Sequence, residues 1–171
     1  TAFVKPATEG SSFGMGIATS EADLRKAFDN ACAFDANVLA EQVVQGDEYT
    51  VAILGDKALA PIRIETDRDF YDFQAKYQDN TTQFHIPCGL NTDDEQRIQQ
   101  LALQAFDALN CSVWGRVDIM RDNATNEFML LEVNTVPGLT NHSLVPMAAK
   151  YAGLSFAELI KQIIDLSLAY R

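Results

Sequence analysis

Two stretches of alternating sequence set acid, amide and guanidinium groups at even spacing. In Gly115-Arg116-Val117-Asp118-Ile119-Met120, Arg116 and Asp118 fall on one face of a strand, and Val117 and Ile119 on the other. In Leu130-Leu131-Glu132-Val133-Asn134, Glu132 and Asn134 share a face. A turn centred near Ala124 sets even-numbered residues opposite even-numbered ones, so Arg116, Asp118, Glu132 and Asn134 converge on one patch. Two carboxylates and an amide oxygen at close range repel unless a cation sits between them. Oxygen-only ligands suit Mg²⁺, which completes its shell with water and substrate phosphates. The same residues also fit a solvated face with a cross-strand Arg–Glu pair, and alternation alone leaves both readings open.

Three further groups could bind an anion. Glu9-Gly10-Ser11-Ser12-Phe13-Gly14-Met15-Gly16 is a small-residue loop whose amides and hydroxyls could cradle phosphate, or simply turn the chain. Its spacing fits neither a Walker A sequence nor a dinucleotide fingerprint. Lys5, just upstream at a strand end, tilts it toward anion binding. Within residues 66–91, Phe70, Phe73, Lys76 and Tyr77 suit either a solvated loop or a lid closing over a charged ligand. His85 has no partner motif, and His142 lies beside Ser143 without dyad geometry. Cys32 and Cys111 read as buried small hydrophobes and Cys88 as a loop thiol, with neither zinc nor thiol chemistry indicated.

The elements that must position these groups are legible from periodicity. Ser20 caps a helix with the stripe Leu24, Ala27, Phe28, Ala31 and Cys32. Strands are expected at about 38–44, 48–54 and 58–65, the last two joined by Gly55-Asp56. Thr92-x-x-Glu95 is a capping box for a helix to about Asn110. Strands at about 113–120 and 127–134 follow. A helix near 144–152 stops at Gly153, and Ser155-x-x-Glu158 opens a last one with the stripe Leu159, Ile160, Ile163, Ile164 and Leu168. Helices beside hairpin-linked strands predict an α+β fold with mostly antiparallel sheets and flanking helices.

The chain has 171 residues, 47% hydrophobic, and a formal net charge of -11. That composition excludes a disordered or fibrous chain, and the acidity gives no electrostatic reason to seek nucleic acid or an anionic membrane. An odd count of 3 cysteines without CxxC spacing reads as a reduced, cytoplasmic chain. Thr1-Ala2-Phe3-Val4 reads as the second half of a strand, so the sequence is expected to be a fragment of a longer protein.

Val4-Lys5-Pro6, Glu9-Gly10-Ser11-Ser12, Lys76-Tyr77, Gly115-Arg116-Val117-Asp118, Glu132-Val133-Asn134-Thr135, Pro137-Gly138 and His142-Ser143-Leu144-Val145-Pro146-Met147 occur in that order. Together they resemble the C-terminal part of the D-alanine–D-alanine ligases, members of the ATP-grasp superfamily. The resemblance runs over nearly the whole chain. It implies an ATP-grasp fold lacking the family's N-terminal domain. Residues 1–65 would be the remainder of the central subdomain, and 66–171 the C-terminal subdomain.

The resemblance also implies the roles. Lys5 would hold the nucleotide phosphates, with the Ser11-Ser12-Phe13-Gly14 backbone folded over them. Glu41, Gln42, Val43 and Val44 would form the adenine hinge, with Glu48 on the ribose and Phe70 against the base. Val43 stands where many members carry an aromatic. Asp118, Glu132 and Asn134 would bind two Mg²⁺ ions, with Mn²⁺ as a substitute. Lys76 would reach the phosphates and Tyr77 would dock the lid on Ser11, that pair being counted with Arg116 as catalytic. Gly138, Ser143 and the Leu144 amide would receive the acceptor D-alanine, and Arg116 would stabilise charge on the acyl group.

The implied reaction is ATP-dependent joining of two D-alanines through a D-alanyl phosphate, for peptidoglycan precursors in the bacterial cytoplasm. A homodimer would be compatible with it, and neither nucleic acid nor membrane is needed. The groups that hold the first D-alanine have no counterpart here, so the 171 residues alone are expected to be inactive. An ATP-grasp ligase for another carboxylate and amine, or a non-catalytic cation-binding module, are the competing readings.

Overall fold

Alternation in Ala2-Phe3-Val4-Lys5-Pro6 builds the first strand, β1 (Ala2–Pro6), with Val4 and Pro6 buried and Phe3 and Lys5 directed to the other face. The computed structural model describes residues 1–9, 13–66 and 82–170, and the chain divides into two units. In the first unit β1 is central, flanked antiparallel by β2 (Gly16–Ala18) and β3 (Val38–Gln42). Helix α1 (Glu21–Cys32) covers one face, its amide ladder opened by Ser20, whose hydroxyl accepts from Asp23 N–H at 3.1 Å.

The small core of this unit is Val4, Ala18 and Ala31, with Ala27 and Val38 against it. The stripe expected on α1 is therefore only partly buried. Ala27 and Ala31 face the sheet, but Leu24 and Phe28 are 40% and 49% exposed, and Cys32 is exposed too. The helix presents its small-residue row to the sheet. Leu24 and Phe28 form a second i, i+4 row about 100° round the axis.

In the second unit, β4 (Gly46–Leu54) is the central strand. It pairs with β5 (Lys57–Ala58), β6 (Ile62–Glu65) and β8 (Trp114–Asp122). The sheet order is β7-β6-β4-β8-β9, all antiparallel, with β7 (Gln83–His85) and β9 (Phe128–Asn134) at the edges. The expected strand at 58–65 is split in two, because Pro61 brings no N–H to the ladder. Strand β7 carries too few residues for alternation to announce it.

The odd-numbered face of β4 buries Tyr49, Val51 and Ile53 against Val117 and Ile119 of β8 and Ile98, Ala102 and Phe106 of helix α2 (Thr92–Ala108). Helix α2 starts one residue earlier than the capping box predicts. Its cap is Asn91, whose Oδ1 accepts from Asp94 N–H at 2.9 Å while its Nδ2 donates to the Asp94 carboxylate at 2.9 Å. Among the cysteines, Cys32 and Cys88 depart from expectation. Cys88 is buried in this core at 2% exposure, and Cys111 lies at its margin.

Helices α3 (Leu144–Tyr151) and α4 (Phe156–Ala169) pack on one another, and α3 contacts β4. Ser155 and Glu158 form the reciprocal cap that the sequence predicts. Leu159 is fully buried, but Ile164 and Leu168 are 53% and 61% exposed, because a helical stripe is covered only as far as its neighbours reach. Among the described residues no helix is long and apolar enough to cross a membrane.

Candidate active site

The hairpin β8–β9 carries the most chemistry, and its register is not the simple one. Next to the turn, Arg121 faces Phe128, Met120 faces Met129 and Ile119 faces Leu130, so odd opposes even. Strict alternation from there would set Glu132 and Asn134 on the same face as Phe128, which packs into the α2 core. A bulge intervenes. Leu131 is left out of the pairing, Asp118 faces Glu132 and Arg116 faces Asn134. Even then opposes even where the sequence expects it, though through a bulge rather than through the turn.

The four side chains meet around Asp118, which is 4% exposed. Arg116 donates Nε–H to Asp118 Oδ1 at 2.8 Å and Nη2–H to Oδ2 at 2.7 Å, a bidentate pair. Asn134 Nδ2 donates to Asp118 Oδ2 at 3.0 Å and to Glu132 Oε1 at 3.2 Å. A residue that sequence reasoning passed over completes the set. Thr50, directly opposite Asp118 on β4, donates its hydroxyl to Asp118 Oδ1 at 2.6 Å. Only the pairing of β4 with β8 could have pointed to it. Glu48 lies two residues along the same face of β4 and is half-buried.

The donor set fits a hard divalent cation. Asp118 and Glu132 supply carboxylates, and the Asn134 amide lies within hydrogen-bond distance of both. Turning that amide over presents its oxygen to the same spot. The arginine limits the local negative charge. The side chains of Arg116 and Asp118 are only 14% and 6% exposed, so neither charge is well solvated without the other.

Backbone room is part of the site. A Cβ on Gly115 would lie 2.5 Å from the Phe106 ring and 2.9 Å from the Asn134 carbonyl oxygen. Beyond β9, a Cβ on Gly138 would come within 3.1 Å of Ser143 Oγ. Ser143 is the residue before α3, and its hydroxyl accepts from Thr140 N–H at 3.0 Å instead of capping the helix. The Leu144 amide thus opens α3, where backbone N–H groups and the helix dipole favour a carboxylate.

In the first unit, Lys5 and Glu41 share the sheet face away from α1 and form an ion pair at 2.7 Å. Gln42 is exposed and Val44 half-buried. Gly14 takes a left-handed φ of 71°, and Phe13 stacks on Phe34 with ring centroids 6.4 Å apart. Ser11, Ser12, Phe70, Lys76 and Tyr77 lie outside the described residues. His85 pairs with Glu65 at 2.8 Å on the outer strands.

Residues 1–165 match the family described as D-ala D-ala ligase C-terminus. The chain belongs to this family. Among its curated relatives, a D-alanine--D-alanine ligase of Marinobacter nauticus is 57% identical over 97% of this chain and 51% of that protein. The chain therefore spans about half the length of the curated relatives it matches. Among solved structures, the VanG D-Ala:D-Ser ligase of Enterococcus faecalis matches 96% of this chain and 49% of its own, with a TM-score of 0.85 and 33% identity. D-alanine--D-alanine ligase of Bacillus anthracis complexed with ATP matches 99% of this chain and 53% of its own, with a TM-score of 0.84 and 29% identity. The resemblance read from the ordered motifs holds, as does the antiparallel α+β architecture of this ATP-grasp family.

Proposed function

We propose that the full-length protein joins two D-alanine molecules at the expense of ATP, and that these residues supply its nucleotide, metal and acceptor groups. The observation that carries the reading is the convergence of Arg116, Asp118, Glu132 and Asn134 across a bulged ladder in a member of this family. A carboxylate oxygen of the first D-alanine attacks the γ-phosphorus of ATP, and ADP leaves. The amine of the second D-alanine adds to the acyl carbon of the resulting acyl phosphate. Loss of a proton from nitrogen and departure of inorganic phosphate complete the peptide bond.

Nothing in this scheme needs a protein nucleophile. The side chains position reactants and balance charge. Asp118, Glu132 and Asn134 would hold Mg²⁺, or Mn²⁺ as a substitute, and the ion would supply charge neutralisation for the transferring phosphoryl group. The Arg116 guanidinium sets positive charge beside the acyl group as it becomes tetrahedral. Ser143 and the Leu144 amide at the start of α3 take the acceptor carboxylate, with Gly138 leaving the space. The roles implied for Lys5, Ser11, Ser12, Phe13, Gly14, Glu41, Gln42, Val44, Glu48, Phe70, Lys76 and Tyr77 belong to the same proposal. So do service in peptidoglycan precursor synthesis and a cytoplasmic location.

The test is product analysis on the full-length enzyme with ATP, Mg²⁺ and D-alanine, set against D-serine and D-lactate as acceptors. D-alanyl-D-alanine with matching phosphate release is expected. The D-Ala:D-Ser ligase among the structural neighbours makes D-serine the informative competitor. Preference for it would reassign the acceptor, and absence of any ligation would overturn the reading.

A further inference from the structure

We infer that Thr50 is a positioning residue that pins one oxygen of Asp118 so that the carboxylate is held for a divalent cation. The inference rests on the reading of Asp118 as a metal ligand. Thr50 is 1% exposed in the middle of the central strand, with buried Tyr49, Val51 and Ala52 around it. At such a place an apolar β-branched residue satisfies both burial and strand geometry. A hydroxyl costs free energy unless it is paired. Its partner is Asp118 Oδ1 at 2.6 Å, whereas the Val117 carbonyl oxygen lies at 3.5 Å, the limit of a hydrogen bond.

The placement is fixed from both sides. Thr50 and Asp118 are directly opposed in the β4–β8 ladder, so the two backbones set the distance. The β-branched side chain of Thr50 has little χ1 freedom. Its hydroxyl and Arg116 Nε–H both fall on Oδ1. The other oxygen, Oδ2, takes the second prong of the Arg116 fork and is turned to Asn134, which also reaches Glu132. Pinning Oδ1 from the buried side therefore presents Oδ2 toward the group of oxygen donors. Thr50 shares with the Arg116 fork the task of holding the carboxylate plane, and adds the contact that comes from β4.

The experiment uses full-length protein holding a non-hydrolysable ATP analogue, titrated with Mn²⁺ and read by the electron paramagnetic resonance signal of free Mn²⁺. Thr50→Val keeps the shape and removes the hydroxyl, and it is expected to weaken Mn²⁺ binding about tenfold, or about 1.4 kcal/mol. Thermal unfolding should fall only by the loss of one hydrogen bond to a buried carboxylate, with the fold intact. Thr50→Ser keeps the hydroxyl and should return the affinity to within about twofold of wild type. If Thr50→Val does not fold, Thr50→Ala measured against Thr50→Ser gives the same comparison. Wild-type affinity in Thr50→Val alongside lost affinity in Asp118→Ala would overturn the role of Thr50 and leave the metal reading standing. Equal losses in the Val and Ser variants would overturn it in favour of packing. Undiminished binding in Asp118→Ala would overturn the metal reading itself.

Discussion

Glu132 stands opposite Asp118 because Leu131, the residue before it, is left out of the β8–β9 ladder. The extra residue reconciles two demands of like parity, Phe128 in the core and Glu132 on the opposite face. This gives an unusual expectation for insertions and deletions. Removing Leu131 leaves a regular ladder in which Phe128 keeps the core and Glu132 still faces Asp118. Full-length enzyme lacking Leu131 should therefore retain activity within about tenfold of wild type. Inserting one alanine after Leu131 lets a regular ladder form with Glu132 opposite Arg116, about 7 Å further along the strand. Turnover should then fall by orders of magnitude, as for Glu132→Ala. Steady-state rates for the three variants check the register, and a deletion as damaging as the insertion would contradict it.

Gly115 is the point at which the site strand presses on the α2 core. A Cβ there would lie 2.5 Å from the Phe106 ring and 2.9 Å from the Asn134 carbonyl oxygen. The backbone contact cannot be relieved by a rotamer change. Gly115→Ala should destabilise the second unit by about 1–3 kcal/mol, the usual cost of overpacking. Adding Phe106→Leu should recover part of the loss. Chemical denaturation of the single and double variants measures both, and a fully additive pair would show that the ring is not the obstacle.

How much of this was legible beforehand follows from what parity can see. Alternation placed Arg116 with Asp118 and Glu132 with Asn134, since each pair lies within an unbroken strand segment. It could not reveal the bulge, because one extra residue is a property of the paired strands rather than of either sequence. Thr50 was invisible for the same reason. Its role exists only through the register of β4 on β8, and in sequence it is one more β-branched residue in an apolar run. Cys32 and Cys88 escape a reading made from sequence neighbours, which does not see what covers a residue. Cys88 reaches the core from a loop, while Cys32 ends a helix that buries only its alanine row. Asn91 displaced Thr92 as the helix cap because it makes both reciprocal bonds with Asp94.

Tyr49 gives a prediction in pH. Burial, followed by the nearby Asp47 carboxylate, pushes its phenol up to about 12. A raised acid pKa means the folded chain holds this proton more tightly than the unfolded one. The contribution to stability is thus fully present below about pH 10, the unfolded value, and is lost as pH rises through about 12. Tyr49→Phe should lack that part of the alkaline loss. Denaturant midpoints between pH 9 and 12 for the two proteins check it, and parallel curves would mean that Tyr49 titrates as in solvent.

Ser143 and Gly138 allow the acceptor assignment to be tested apart from the metal. Ser143 Oγ sits between the Thr140 amide, 3.0 Å away, and the space that a Cβ on Gly138 would enter at 3.1 Å. If the hydroxyl and the Leu144 amide take the acceptor carboxylate, Ser143→Ala removes one charge-assisted hydrogen bond, worth about 1.5–3 kcal/mol. For the full-length enzyme that corresponds to a fall of roughly ten- to a hundredfold in kcat/KM for the second D-alanine. The nucleotide KM should stay within about twofold, because the proposed assignment gives the helix start no phosphate role. Gly138→Ala should act in the same direction by crowding the hydroxyl, and Ser143→Thr should lie between it and wild type. Equal loss toward nucleotide and acceptor would place the defect in folding, not in the acceptor site.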